Sequence, residues 1–145
     1  NESVGAIHKK LGHIMWEYVG MGRTAEGLKK GLAELKQIRK EFETNLFIPG
    51  SKEGMNVELD KAIRLYDFIT MGELIAYDAL NRNESCGGHF REEYQTEEGE
   101  AKRDDENFFY VACWEYQGDD EKAPVLYKEP LVYEAIKVQT RNYKS

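Results

Sequence analysis

The sequence predicts a mainly α protein, an antiparallel three-helix bundle with a C-terminal loop and a small β hairpin or meander. Three observations carry that expectation. Apolar residues recur at helical spacing from Val4 to Leu80. The recurrence is interrupted at Gly20-Met21-Gly22 and again at Pro49-Gly50-Ser51. Beyond Leu80 the composition changes to glycine, acidic and aromatic residues. With 145 residues and 41% hydrophobic content, the chain is long enough to bury one core without covalent staples. Residues 1–83 are expected to form the bundle, and residues 84–145 the motif loop and β appendage packed on it, one domain in all.

In the first helix Val4, Ile7, Leu11, Ile14, Met15 and Tyr18 share a stripe, and the glycines from Gly20 close it. The second opens after Thr24, a good N-cap with Glu26 in its first turn. Its stripe runs Leu28, Leu32, Leu35, Ile38 or Arg39, and Phe42. The third is capped by Asn56 and is expected to present Leu59, Ile63, Tyr66, Ile69, Leu74, Tyr77 and Leu80 on one side. Such stripes are buried most simply against one another. Glycines at Gly12, Gly27, Gly31 and Gly72 each cost about 1 kcal/mol inside a helix, and close helix contact would explain some of them.

Downstream, 108–116 and 125–127, with 131–138, are rich in β-branched and aromatic residues and read as strands, separated by Gly118-Asp119-Asp120 and by Pro130. Thr96 to Lys102 has the composition of an exposed insertion.

Charge narrows the function classes. Of the net −7, residues 1–83 contribute nothing, with 12 basic and 12 acidic side chains, while residues 84–145 carry 8 basic and 15 acidic. That balance argues against nucleic acid and anionic membrane surfaces as partners, and no apolar run is long enough for direct membrane insertion. Two cysteines, Cys86 and Cys113, are too few for a disulfide framework and suggest a reducing, cytoplasmic setting. The chain starts at Asn1 and enters a helical pattern at once, which reads as a piece of a longer polypeptide.

The segment most loaded with chemistry is Arg82, Glu84, Ser85, Gly87, His89 and Arg91, followed by Arg103, Asp104 and Asp105. Glycine beside His89 implies a backbone requirement, and the alternation of cations and acids implies a loop docked by hydrogen bonds. This segment resembles the C-terminal domain of the flavoprotein subunit of succinate dehydrogenase and fumarate reductase. The family pattern Arg-x-Glu-Ser-Arg-Gly-x-His-x-Arg, then Arg-Asp-Asp-Glu before an aromatic, is met from Arg82 to Arg91 and from Arg103 to Phe108. Met15, Arg23 and Thr24, where the first two helices meet, and Arg141-x-Tyr143 near the end extend the likeness. Cys86 stands where the family has Arg, Glu93-Tyr94-Gln95 lacks the usual proline, and Thr96 to Lys102 is additional.

The resemblance implies a three-helix bundle with a β segment, belonging to an oxidoreductase that interconverts succinate and fumarate. It implies that FAD, the dicarboxylate and the catalytic residues lie in other domains, with none of them in this stretch. The implied partners are the flavin-binding domain of the same chain and an iron-sulfur subunit, with the parent complex peripheral on the cytoplasmic face of the cell membrane. No activity is expected of residues 1–145 alone. A free-standing helical interaction module and the C-terminal domain of L-aspartate oxidase are the alternatives.

Two sharper readings of the residues are weak. Gly20-Met21-Gly22-Arg23-Thr24-Ala25 spells a dinucleotide fingerprint, but it follows a helix where the mechanism requires a strand. Cys86, His89, Cys113 and His13 include zinc-ligand types, but a second short-spaced pair is missing.

Overall fold

A computed structural model describes residues 1–140 of the chain. Among these the order is β1 (Glu2–Ser3), α1 (Val4–Val19), α2 (Ala25–Asn45), β2 (Leu46–Phe47), α3 (Val57–Asn81), α4 (Asp105–Phe108), β3 (Tyr110–Glu115) and β4 (Val125–Pro130). The mainly α bundle with a small antiparallel sheet agrees with the sequence. Arg141 and Tyr143 lie outside the described residues.

Each long helix begins on a side chain that accepts an otherwise orphaned N–H. Ser3 Oγ takes Ala6 N–H at 3.1 Å, Thr24 Oγ1 takes Gly27 N–H at 2.9 Å, and Asn56 Oδ1 takes Leu59 N–H at 3.1 Å. The helices bury Ile7, Leu28, Leu35, Leu65 and Ile69 completely. Two glycines set how closely they approach. A Cβ on Gly31 would lie 2.9 Å from Tyr18 Cβ, and one on Gly72 would lie 3.1 Å from Met15 Sδ. A two-residue parallel pair, Glu2 with Leu46 and Ser3 with Phe47, ties the start of α1 to the end of α2; nothing in the sequence pattern announces it.

The expected face of α3 needs correction. Its buried residues are Ala62, Leu65, Ile69, Gly72, Ala76 and Ala79, whereas Leu59, Ile63, Tyr66 and Leu74 are exposed. The buried face is offset by about one residue, roughly 100° around the helix. Ala62, Gly72, Ala76 and Ala79 let α3 sit close to α1 and α2 around the buried Leu65 and Ile69, and its other large apolar residues lie on the flanks.

β3 and β4 form a hairpin with register Tyr110↔Pro130 through Glu115↔Val125. β4 therefore extends beyond the expected 125–127, and Pro130 is its last residue rather than a separator. The strand expected over 131–138 does not form: after Leu131 N–H bonds Phe109 O at 3.1 Å, the chain leaves the ladder. Phe108 likewise closes the short α4 instead of opening a strand. The stretch 96–102 is a tight exposed turn, with Thr96 N–H on Glu100 O and Lys102 N–H on Tyr94 O.

The hairpin rests on α3. Trp114 Nε1 donates to Asp78 Oδ1 at 2.7 Å, and its ring meets Tyr77 edge-on at 5.1 Å between centroids. Its connecting turn is held over α2 by Arg39, which is 7% exposed. Arg39 grips Glu73 with two N–H groups at 3.1 and 2.8 Å, and also donates to Thr70 Oγ1. Its Nη1 lies 3.4 Å from Asp120 Oδ2, near enough for charge attraction but without the alignment of a hydrogen bond. Among the described residues no helix is long and apolar enough to cross a membrane.

Candidate functional site

The loop after α3 is organised by what α3 leaves unfinished. The last carbonyls of a helix have no partner within it and carry the negative end of its dipole. Arg91, returning from the loop, donates from Nη1 to Ala79 O at 3.0 Å and to Leu80 O at 3.2 Å. It is 2% exposed, pairs through Nε with Glu93 Oε2 at 3.1 Å, and lies 5.3 Å over the Tyr94 ring. Ser85, fully buried, fixes Arg91 in turn: its Oγ accepts Arg91 N–H at 2.9 Å and donates to Arg91 O at 3.1 Å. Ser85 N–H reaches Lys102 O at 2.9 Å.

Glu84, 3% exposed, joins the two ends of the segment. One carboxylate oxygen accepts Arg82 Nη1 at 2.9 Å, the other Asp104 N–H at 2.9 Å. Arg82 continues to the hairpin, donating to Phe108 O at 3.0 Å and Tyr110 O at 3.1 Å, with its guanidinium 5.0 Å over the Tyr110 ring. Asp104 caps α4 by accepting Asn107 N–H, and Arg103 clasps Asp105 with two N–H groups at 3.0 and 2.6 Å while donating to Gln139 O.

His89 closes the loop onto the junction of α1 and α2. Residues 86–89 form a tight turn with reciprocal bonds, Cys86 N–H to His89 O and His89 N–H to Cys86 O, and Gly87 sits at φ +59°, a conformation that favours glycine. The His89 ring bridges two partners, with Nε2 2.9 Å from Arg82 O and Nδ1 2.9 Å from Arg23 Nη1. A carbonyl only accepts and a guanidinium only donates, so Nε2 carries the proton and Nδ1 is the acceptor. The imidazole is neutral. Burial holds its pKa below 6.5, the Arg82 carbonyl opposes that, and Arg23 and Arg91 add to the lowering. Arg23 Nε also caps α1 through Val19 O and Gly20 O, both at 3.2 Å.

The opposite helix end is treated in kind. Glu93 Oε1 accepts Ala25 N–H at the start of α2, placing an anion at the positive end of that helix. Burial alone would raise the Glu93 pKa; the bonds from Ala25 N–H and Arg91 outweigh it and hold the carboxyl below the usual value. Backbone bonds from Arg23 N–H to Phe90 O and from Glu92 N–H to Arg23 O lace the loop to the α1–α2 junction.

Thus Arg82, Glu84, Ser85, Gly87, His89 and Arg91 form one connected knot, with Asp104 joined to it through Glu84. Arg103 and Asp105 make a separate, more exposed clasp. The sequence reading missed three contributors: Arg23 as the partner of His89, Glu93 as the cap of α2, and Asp78 as the acceptor for Trp114. Only Arg23 carried any signal, through the family likeness where the first two helices meet, because long-range partners leave no spacing to read.

A cleft of about 560 Å³, lined by Arg23, Asp78, Arg82, His89, Tyr110 and Trp114 among others, opens beside the knot. Both ring nitrogens of His89 are engaged, so the imidazole has neither a free lone pair for a metal nor a free proton to exchange. Both cysteines are free thiols, and burial followed by nearby Glu84 raises the Cys86 pKa, which disfavours thiolate chemistry. Among the described residues no group of three or more His, Cys, Asp or Glu side chains is placed to hold a metal. The arrangement is suited to holding backbone in position.

Comparison with known proteins supplies the family. Residues 8–143 match the family model described as fumarate reductase flavoprotein C-term. The fumarate reductase flavoprotein subunit of Serratia sp. is 33% identical over 107 residues, covering 74% of this chain and 17% of that protein. An L-aspartate oxidase of Nicotiana tabacum is 33% identical over 89 residues, 61% of this chain and 13% of that one. A solved quinol-fumarate reductase with menaquinol molecules superposes with a TM-score of 0.77 at 25% identity, covering 94% of this chain and 22% of its own. The chain spans between 14% and 17% of the length of the first curated relatives it matches. Its helices, its knotted loop and its hairpin therefore belong together to the family of fumarate reductase and succinate dehydrogenase flavoprotein C-terminal domains.

Proposed function

We propose that this chain is the structural and docking domain of a flavoprotein subunit that interconverts succinate and fumarate, holding the FAD-bearing domain of the same polypeptide in place. The observation that carries this reading is the direction in which the motif's cations point. Arg82, Arg91 and Arg23 each donate to carbonyls of the domain's own backbone, so the knot stabilises a shape rather than presenting charge to a dicarboxylate. FAD, the substrate site and the acid–base residues then belong to the rest of the parent chain, and electrons leave through an iron-sulfur partner. The parent complex would be peripheral on the cytoplasmic face of the cell membrane. A fumarate reductase parent is favoured over L-aspartate oxidase because that likeness covers more of the chain, 74% against 61%.

The division of labour is tested by purifying residues 1–145 alone. The expected result is no flavin absorbance and no reduction of fumarate by a chemically reduced viologen dye, with both present in the full subunit. Fumarate reduction by the domain alone would refute it.

A further inference from the structure

A face of the bundle between α1 and α3 remains bare, bordered at Ile75 by the cleft beside the hairpin. Between α1 and α3 runs a groove of about 250 Å³ lined by His8, Gly12, Met15, Phe68, Met71 and Ile75 and floored by Leu11 and Gly72. Phe68, Met71 and Ile75 are 48%, 55% and 41% exposed, and Trp16, four residues beyond Gly12, is 82% exposed on the rim. Among the described residues no Asp, Glu, Lys or Arg lines the groove. α3 thus carries large apolar residues on both flanks as well as a buried small-residue face, and a helix apolar around so much of its circumference belongs in an interior.

The glycines of α1 point the same way. A Cβ on Gly5 or Gly12 would meet nothing within 4 Å, unlike one on Gly31 or Gly72. Each helical glycine costs about 1 kcal/mol relative to alanine, and among the described residues no contact offsets that cost. A backbone approaching α1 from outside would.

We infer that the α1–α3 groove is the seam against which an apolar segment of the flavin-bearing part of the same polypeptide packs; this rests on the docking reading above. The length of the relatives favours that occupant. In the solved quinol-fumarate reductase, 94% of this chain corresponds to only 22% of the matched chain, so the rest of that polypeptide is covalently attached to this domain, and attachment gives it a millimolar-scale advantage over any free protein.

The test uses the full-length flavoprotein. Single substitutions Met71→Cys and Ile75→Cys place thiols on the seam, and Lys29→Cys places one on the solvent side of α2. Maleimide labelling is followed by peptide mass spectrometry in the folded protein and again in urea. Seam thiols should label at least about tenfold more slowly in the folded protein than in urea, with Lys29→Cys nearly unchanged. Seam thiols that label as fast as Lys29→Cys, while native Cys86 or Cys113 is protected, would overturn the seam and leave docking through the loop or hairpin standing. Free labelling at all of these sites would overturn both. Protection that disappears on dilution would identify a second copy as the occupant and likewise overturn the inference.

Discussion

The bundle and the loop of residues 82–108 each hold buried side chains, but of opposite kinds. In the bundle the backbone satisfies itself within each helix, and apolar side chains such as Ile7, Leu35 and Ile69 supply the contact. In the loop the backbone has little regular pairing, and buried polar side chains provide what is missing: Arg91 at 2% exposure, Glu84 at 3% and Ser85 at 0%. The first kind of region depends on volume and tolerates substitutions that preserve it. The second depends on matching donors to acceptors, so removing one member strands its partners in a place water does not reach. Arg39 brings the second kind of bonding into the bundle, where its bidentate bond to Glu73 joins α2 to α3 and its charge faces Asp120 of the hairpin turn.

Arg91 tests the contrast most severely. Arg91→Met keeps much of the buried stem and removes every donor, leaving the Ala79 and Leu80 carbonyls and Glu93 without their partner. We expect a loss of about 2–4 kcal/mol in urea unfolding, against about 1 kcal/mol for Ile14→Val in the core. Equal losses would dissolve the distinction. Ser85→Ala should rank next, at about 1–3 kcal/mol, because one hydroxyl serves both the N–H and the C=O of Arg91 in a fully buried position. A stability change within error of wild type would show that water replaces the hydroxyl.

The same contrast explains what the sequence disclosed. Three helices, their caps at Thr24 and Asn56 and the irregular loop were legible because capping and periodicity are local. The face of α3 was not: periodicity weighted Ile63, Tyr66 and Leu74, whereas the bundle selected Ala62, Gly72 and Ala76, whose merit is close approach. In the loop the residue types were legible as a family pattern, but their partners were not. Arg23 meets His89 across 66 positions and Asp78 meets Trp114 across 36, separations that leave no trace in spacing. The absent strand over 131–138 shows the converse, because β propensity without an available ladder edge makes no strand.

Acid should reach the knot before the bundle. The His89 pKa in the folded chain lies below its unfolded value of about 6.5, because burial and two guanidinium groups disfavour the imidazolium. The folded state therefore binds fewer protons than the unfolded state as pH falls. The stabilisation is complete above about 6.5, declines on acidification and is lost below the depressed value. Protonation would also turn Nδ1 into a donor facing Arg23 Nη1, 2.9 Å away. Urea midpoints measured between pH 7.5 and 5 should fall for wild type, and His89→Gln should flatten that part of the profile. An unchanged slope in the variant would assign the acid sensitivity to other groups.

The smallest expected effect discriminates the bare side of the bundle from its packed side. Gly12→Ala adds a methyl group that meets nothing within 4 Å, so in the 145-residue chain it should raise stability by up to about 1 kcal/mol through helix propensity alone. Gly31→Ala, whose Cβ would press against Tyr18 at 2.9 Å, should lower it. The opposite signs belong to two glycines in neighbouring helices of identical local propensity, so only their surroundings separate them. In the full-length protein the first sign should reverse if another backbone closes on α1. Thermal unfolding of both variants in both contexts measures the four values, and a Gly12→Ala gain that persists unchanged at full length would leave that face of α1 open to solvent.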